Sequence, residues 1–151
     1  MQALATGYGL IEGPVWDPAK GLYFSDVMGG GVFLLDRQDK VTQVVEKRRG
    51  IGGMALHAEG GLIVGGRDIT FVSLKDQTTK VLLTSDVTPE AIGFNDLTTD
   101  QAGRIYVGSL AFKVFGGDTP RPGHLHVIDL DGSVRTISDG IMLTNGLGFS
   151  P

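Results

Sequence analysis

The 151-residue sequence contains no cysteine, which excludes disulfide bonds, thiolate metal sites and thiol catalysis. No apolar run approaches the roughly 18 residues that a membrane-spanning helix needs. Residues 1–7 have neither the basic flank nor the apolar stretch of a signal peptide. The net charge is -4, with 13 Lys and Arg against 17 Asp and Glu, so the basic excess typical of nucleic-acid binding is missing. We therefore expect a cytoplasmic protein that binds neither nucleic acid nor membrane.

Helical periodicity is also nearly absent, whereas glycine is abundant. The chain has 24 glycines, more than twice the usual share of roughly 7%. Short apolar or alternating runs, such as residues 22–24, 62–64 and 105–107, are bounded by Gly, Asp, Asn and Pro. This pattern predicts short β-strands joined by tight turns.

The strands belong to an internal repeat. Residues 17–24 match residues 57–64 and 100–107, and residues 149–151 match the opening of the same pattern. Successive copies begin between 40 and 50 residues apart, and each contains four predicted strands. A period of this length with four strands per unit is typical of a β-propeller blade. A sandwich would not repeat one internal pattern in this way.

The repeat predicts an all-β fold with three four-stranded blades and the start of a fourth in a single domain, 1–151. The blades are expected at about 13–46, 53–84 and 96–138, with the fourth beginning at 146–151. Known propellers have roughly 4–8 blades. We therefore expect a fragment or half of a larger protein, closed by missing C-terminal blades or by self-association. The alternative is a homodimer of three-blade halves, in which the fourth-blade segment would compete with the partner's first blade.

Four residues occupy one equivalent position, immediately before the first predicted strand of each unit: Glu12, Gly52, Asn95 and Asn145. First strands line the channel of a propeller, so the three polar side chains are expected to converge there. Their oxygen atoms suit hard cations such as Ca²⁺, Mg²⁺ or Mn²⁺. The alternative is that these side chains cap turns or bond to the strand backbone.

A long connection between two predicted strands, residues 110–122, is a candidate lid at the mouth of the channel. It carries Phe112, Lys113 and Phe115. Arg48, in the connection from the first unit to the second, is a candidate for binding an anionic or polyhydroxyl ligand, as is Arg67. The alternatives are a surface insertion for the loop and solvated surface charge for the arginines.

Several motifs resemble the gluconolactonase-like family, which includes regucalcin and luciferin-regenerating enzyme. They lie, in the family's order, at residues 12–17, 22–26, 94–96, 100–108 and 144–151. The Glu-Gly-Pro, Phe-Asn-Asp and Asn-Gly-Leu elements are fairly specific as a set. The resemblance covers essentially the whole chain, but only the first half of the family's domain.

The resemblance implies a six-bladed propeller with one catalytic divalent cation, and hydrolysis of a sugar-acid-type or small lactone. Glu12 and Asn145 match the family's metal ligands, and Asn95 matches a catalytic residue that contacts substrate or metal-bound water. Calcium is the cation expected first, with magnesium, manganese or zinc as alternatives. The chain alone is expected to be incomplete as an enzyme. The alternative function is a non-catalytic propeller that binds a ligand or protein.

Two departures from the family pattern affect this expectation. The family's remaining metal-binding carboxylate, an Asp that also resembles the general base, belongs to a later blade beyond Pro151. Sugar lactonases of the family often carry an Arg two residues before the Asn of Phe-Asn-Asp, and here Gly93 occupies that position. This second departure points to a smaller or less polar lactone.

Overall fold

The computed structural model of the protein describes residues 2–46 and 48–150 and contains three four-stranded antiparallel sheets. The first sheet consists of β1 (Ile11–Asp17), β2 (Gly21–Asp26), β3 (Val32–Asp36) and β4 (Val41–Val45). The second consists of β5 (Met54–His57), β6 (Gly61–Val64), β7 (Ile69–Ser73) and β8 (Thr79–Leu83). The third consists of β9 (Gly93–Thr99), β10 (Ile105–Leu110), β11 (Gly123–Ile128) and β12 (Val134–Ile141).

Strand order within each sheet follows chain order, so every pair of neighbours is joined by a hairpin. This arrangement confirms the all-β fold with four-stranded units that the repeat predicts. The only helical element in the described part of the chain is a single 3₁₀ turn at Ser85–Val87. No helix within those residues is both long and apolar enough to cross a membrane. Residues 144–150 form no strand in this structure, so the fourth blade stays a prediction.

Aspartates at the hairpin turns bond to the backbone of their own turns. The Asp36 carboxylate accepts hydrogen bonds from the backbone N–H groups of Gln38 (2.9 Å) and Lys40 (3.0 Å). Asp131 accepts one from Ser133 at 2.9 Å. These short polar side chains replace ladder bonds that the turn backbone cannot make. Their role is structural, as the turn pattern of the sequence indicates.

The second sheet is buried on both faces, because the other two sheets pack against it. Leu62 and Val64 of β6 contribute to a cluster with residues of the first sheet, including Tyr23 and Val32. Ile63, between them, points to the opposite cluster with residues of the third sheet. Side chains alternate between the faces of a strand, so a strand covered on both sides has a continuous apolar sequence. This explains the uninterrupted Leu-Ile-Val run of β6.

The first strands of the three sheets are neighbours, with β5 lying between β1 and β9. Glycine permits this close approach: a Cβ on Gly53 would lie 2.4 Å from the backbone nitrogen of Leu97, and a Cβ on Gly13 would lie 3.1 Å from the Gly52 carbonyl oxygen. The innermost strands therefore contact through backbone rather than side chains. This brings the residues of β1 and β9 to a common centre.

Asp26, at the end of β2, holds the N-terminal segment against the β2–β3 loop. The buried carboxylate accepts hydrogen bonds from four backbone N–H groups, those of Gly29 (2.8 Å), Gly9 (3.0 Å), Met28 (3.1 Å) and Leu10 (3.3 Å). The donors of Gly29 and Gly9 contribute most to lowering the pKa of this carboxyl below its ordinary value. Hydrogen bonds to the charged form stabilise the carboxylate.

Replacing Asp26 with Asn is expected to destabilise the protein at neutral pH by about 1–3 kcal/mol, because the four part-buried hydrogen bonds lose the negative charge and one of the two acceptor oxygens. Since the folded pKa is lowered, the carboxylate stabilises the fold above its unfolded pKa of about 3.9. That contribution is lost as the pH falls through the folded value. Urea unfolding between pH 7 and pH 3 should therefore show the variant and the wild type converging at low pH. The exposed-turn control Asp131→Asn should change stability much less, and an equal loss in both variants would contradict the prediction.

Candidate functional site

Glu12 and Asn95 lie inside the innermost strands, at irregularities of the pairing. The β1–β2 register shifts between Glu12 and Val15, and the β9–β10 register shifts opposite Asn95, between Val107 and Ser109. The sequence placed both residues before their strands, and this placement is wrong because pairing resumes beyond each shift. Such bulges bend a strand and redirect its side chains. Here the bulges lie at equivalent positions of the first and third sheets, at Glu12 and Asn95, which the sequence predicts to converge.

Asn145 lies on a segment that β9 holds from both sides. The Asn95 side-chain amide donates a hydrogen bond to the Thr144 carbonyl at 2.7 Å. On the other side of Asn145, the Gly146 N–H donates to the Asp96 carboxylate at 2.6 Å. Thr144 is buried, whereas the Asn145 side chain is exposed. Two consecutive residues of β9 therefore fix the backbone around Asn145 and leave its side chain free to bind.

Gly52, the equivalent residue of the second unit, provides the space for Asn95. A Cβ at Gly52 would lie 2.5 Å from the Asn95 side-chain oxygen. Any larger residue there would displace the Asn95 amide and with it the bond to Thr144. The lack of a polar side chain in the second unit thus has a physical reason: the side chain of the third unit occupies that place.

Nearly all the candidate residues line one cleft of about 510 Å³. Glu12, Asn95 and Asn145 line it together with Phe112, Lys113 and Phe115. A second cleft, of about 630 Å³, runs along β1, β5 and β9 and is also lined by Glu12 and Asn145. Glu12 and Asn145 therefore lie at the boundary between the two clefts.

The β10–β11 loop forms one wall of the first cleft. Ala111 and Phe112 are buried and anchor its beginning. The Lys113 N–H donates to the Asp118 carboxylate at 2.9 Å, which closes the turn that follows. Phe115, at the tip, is 70% exposed. The loop therefore combines a fixed base with an apolar tip beside the site.

Arg48 does not line this cleft. Its guanidinium donates to the Thr70 hydroxyl at 2.7 Å and to the Asp68 carbonyl, which ties the connection between the first two sheets to the β6–β7 loop. Burial lowers the pKa of Arg48, although the Asp68 carboxylate opposes this effect. Arg67, from the same β6–β7 loop, lines the cleft and supplies a cation beside Lys113.

The histidine pair of β11 belongs to the packing of the third sheet. His126 is fully buried, with its ring nitrogens 3.1 Å from the hydroxyls of Ser109 and Thr136. Burial lowers the pKa of His126, and the neighbouring His124 adds to this effect. A neutral, hydrogen-bonded imidazole at this place stabilises the blade and lies outside the cleft.

The donor chemistry of the site fits a hard cation. The Glu12 carboxylate and the Asn145 amide offer oxygen ligands, which calcium and magnesium prefer. Within residues 2–46 and 48–150, neither side chain makes a hydrogen bond or ion pair, so both are available. No group of three His, Cys, Asp or Glu side chains in that part of the chain is placed to hold a metal. Two such side chains would be two of the six to eight oxygen ligands that a calcium ion takes.

Two residues important to this arrangement were not predicted as site residues. Asp96 directly follows Asn95 in the Phe-Asn-Asp motif, and its place in that motif could have identified it as a site residue. Thr144 packs where Gly108 leaves room, since a Cβ at Gly108 would lie 1.7 Å from the Thr144 hydroxyl oxygen. That fit depends on tertiary contact across the third sheet and has no signature in the local sequence.

Replacing Gly108 with Ala is expected to destabilise the protein by about 1–3 kcal/mol, because the new methyl group forces Thr144 out of its packed position. The displacement should also alter the amide resonances of Asn95 and Asn145 in NMR spectra. Gly148→Ala is the matched control, because a Cβ there meets nothing within 4 Å. Unchanged thermal stability and spectra in Gly108→Ala would show that the segment around Asn145 is not held by this packing.

The chain is similar in sequence to curated proteins. The pentonolactonase of Haloferax volcanii is 30% identical over 145 residues, covering 93% of this chain and 46% of the relative. The chain spans about half the length of the curated relatives it matches.

Solved structures show the same fold. The gluconolactonase of Xanthomonas campestris aligns with a TM-score of 0.76 at 21% identity, over 90% of this chain and 49% of that protein. The calcium-binding protein regucalcin of Agrobacterium tumefaciens aligns with a TM-score of 0.72 at 16% identity, over 92% of this chain and 46% of that protein. The three sheets are thus blades of a partial β-propeller. The profile of the SMP-30/Gluconolactonase/LRE-like region matches residues 10–151, and the chain belongs to this family.

Proposed function

We propose that the protein is a divalent-cation-dependent lactonase, to which this chain contributes one side of the active site. The observation that carries the proposal is the meeting of Glu12, Asn95 and Asn145 at one cleft. Relatives named as a pentonolactonase and a gluconolactonase support the reaction class. The reaction adds water across the ring ester and releases a hydroxy acid.

Glu12 and Asn145 are the proposed cation ligands of this chain. A bound divalent cation polarises an ester carbonyl and lowers the pKa of a bound water. The bulge in β1 carries Glu12, and the bonds from Asn95 and Asp96 fix the backbone beside Asn145. Glu12 is therefore carried by a strand, and the backbone on either side of Asn145 is bonded to one, which suits a site that must keep its geometry.

Asn95 has a dual role in this proposal. Its side-chain nitrogen is committed to the Thr144 carbonyl, so it positions the Asn145 segment. Its side-chain oxygen remains as the group that would orient substrate or water in the cleft. Phe112, Lys113 and Phe115 form the wall against which substrate lies, whereas Arg48 supports the neighbouring loop.

Calcium is the cation that we propose for this site. Its ligands are oxygens in flexible geometry, and the donors here are a carboxylate and an amide. Zinc more often recruits His or Cys, and neither residue lines the cleft. The calcium-binding regucalcin with the same fold supports this choice.

The test is lactone hydrolysis by the purified full natural chain, before and after removal of divalent cations. Glu12→Gln should lower kcat/KM by about 100-fold or more and weaken calcium binding in calorimetry, because even residues that only support a metal ligand cost 10–100-fold. Glu59→Gln is the matched control, since Glu59 is exposed in the β5–β6 turn. Equal activity of Glu12→Gln and wild type would refute the role of Glu12.

A ligand-binding propeller without catalysis is the second candidate, favoured by the exposed apolar tip of the β10–β11 loop. The same experiment separates the two functions. Lactone binding without turnover, in protein loaded with calcium, would support the binding function and contradict the lactonase.

A further inference from the structure

We infer that the cleft selects lactones with an apolar alkyl or aryl substituent over polyhydroxylated lactones. This inference rests on the proposed lactonase function and names its substrate class. It depends on three observations: the apolar lining of the cleft, the small number of its polar side chains, and the bare backbone at Gly93.

The cleft wall is predominantly apolar and is built by several separate loops. Its apolar lining includes Val27, Ile92, Leu110, Phe112, Phe115 and Leu143. Phe115 is 70% exposed, Ile92 45% and Leu143 37%, so these side chains present apolar surface to whatever enters. Exposed apolar surface concentrated in one concave place is typical of a ligand site.

The polar side chains of the cleft are few. Asn95 donates its amide to Thr144, and Glu12 and Asn145 are the proposed cation ligands. Arg67 and Lys113 are the remaining charged groups of the lining. A sugar lactone carries several hydroxyl groups, and two cations cannot pair all of them. Hydroxyl groups buried against this wall without partners would be unfavourable.

Gly93 removes a further place for a polar contact. A Cβ there would lie 3.0 Å from the Gly66 carbonyl oxygen, and the neighbouring Phe94 N–H donates to that carbonyl at 2.7 Å. The floor of the cleft beside Asn95 is therefore bare backbone, already hydrogen-bonded. No side chain can reach from this position to a substrate hydroxyl.

The size of the cleft is consistent with a substituted ring. At about 510 Å³ it falls within the roughly 300–1,000 Å³ of pockets that take drug-sized ligands. A lactone ring held beside Glu12 and Asn145 leaves the region between Ile92 and Phe115 for its substituent. Ile92 and Phe115 line the same cleft as the proposed cation ligands, so one molecule can contact both.

The test compares two γ-lactones in the full natural chain with calcium: one with a five-carbon alkyl chain and one with the hydroxylated side chain of an aldonic acid. The kcat/KM should be at least about tenfold higher for the alkyl lactone. Phe115→Ser should lower this ratio by about tenfold, and Ile92→Ser should lower it in the same direction. Leu130→Ser is the control, because Leu130 is 74% exposed in the β11–β12 turn and lies outside the cleft.

The outcomes separate this inference from the lactonase proposal. Preference for the hydroxylated lactone, with hydrolysis still abolished by Glu12→Gln, would overturn the inference and leave the lactonase standing. If neither lactone is hydrolysed, calorimetric binding decides. Alkyl-lactone binding that Phe115→Ser weakens, in protein whose melting temperature is unchanged, supports the inference, whereas the absence of such binding overturns it.

Discussion

The close approach of Gly52 and Gly53 to β9 is the contact on which the arrangement of the site depends. The backbone of β5 reaches β9 so closely that a Cβ at Gly53 would lie 2.4 Å from the Leu97 nitrogen. Without side chains at these two positions, the innermost strands of neighbouring sheets lie against each other. Because of this contact, residues from β1, β9 and the segment after β12 face one cleft.

From that contact the arrangement of the site follows in steps. Gly52 leaves room for the Asn95 side chain, and Asn95 bonds to the Thr144 carbonyl. Asp96 accepts the Gly146 N–H on the other side of Asn145. The glycines thus allow the close approach of the strands, and Asn95 and Asp96 hold the backbone on either side of Asn145. The Asn145 side chain stays exposed. A polar residue can support the site without itself touching a ligand.

The fold was largely predictable because the repeat imposes it. Asp or Gly residues mark each turn, and the fully apolar run of β6 reflects burial on both faces. The grouping of Glu12, Asn95 and Asn145 also followed from their equivalent positions. Their placement inside or outside strands did not, because bulges arise from pairing between strands.

Other features depend on contacts between residues far apart in the sequence. The role of Arg48 follows from the Thr70 hydroxyl and the Asp68 carbonyl. The packing of Thr144 depends on the missing side chain of Gly108. In both cases the local sequence gives no sign of the contact, and the partner lies at least twenty residues away. Single-sequence reasoning identifies residue types at such places but cannot assign their partners.

In the proposed lactonase, the β10–β11 loop would determine substrate choice, whereas other parts of the chain would carry the chemistry. Its base is anchored by the buried Ala111 and Phe112, whereas Phe115 at its tip is exposed. Glu12, Asn95 and Asn145 are carried by other parts of the chain. Changes of length or composition at the tip can therefore accumulate during divergence without disturbing the strands that hold these residues. If the lactonase proposal holds, a change in this one loop would alter the substrate without altering the reaction.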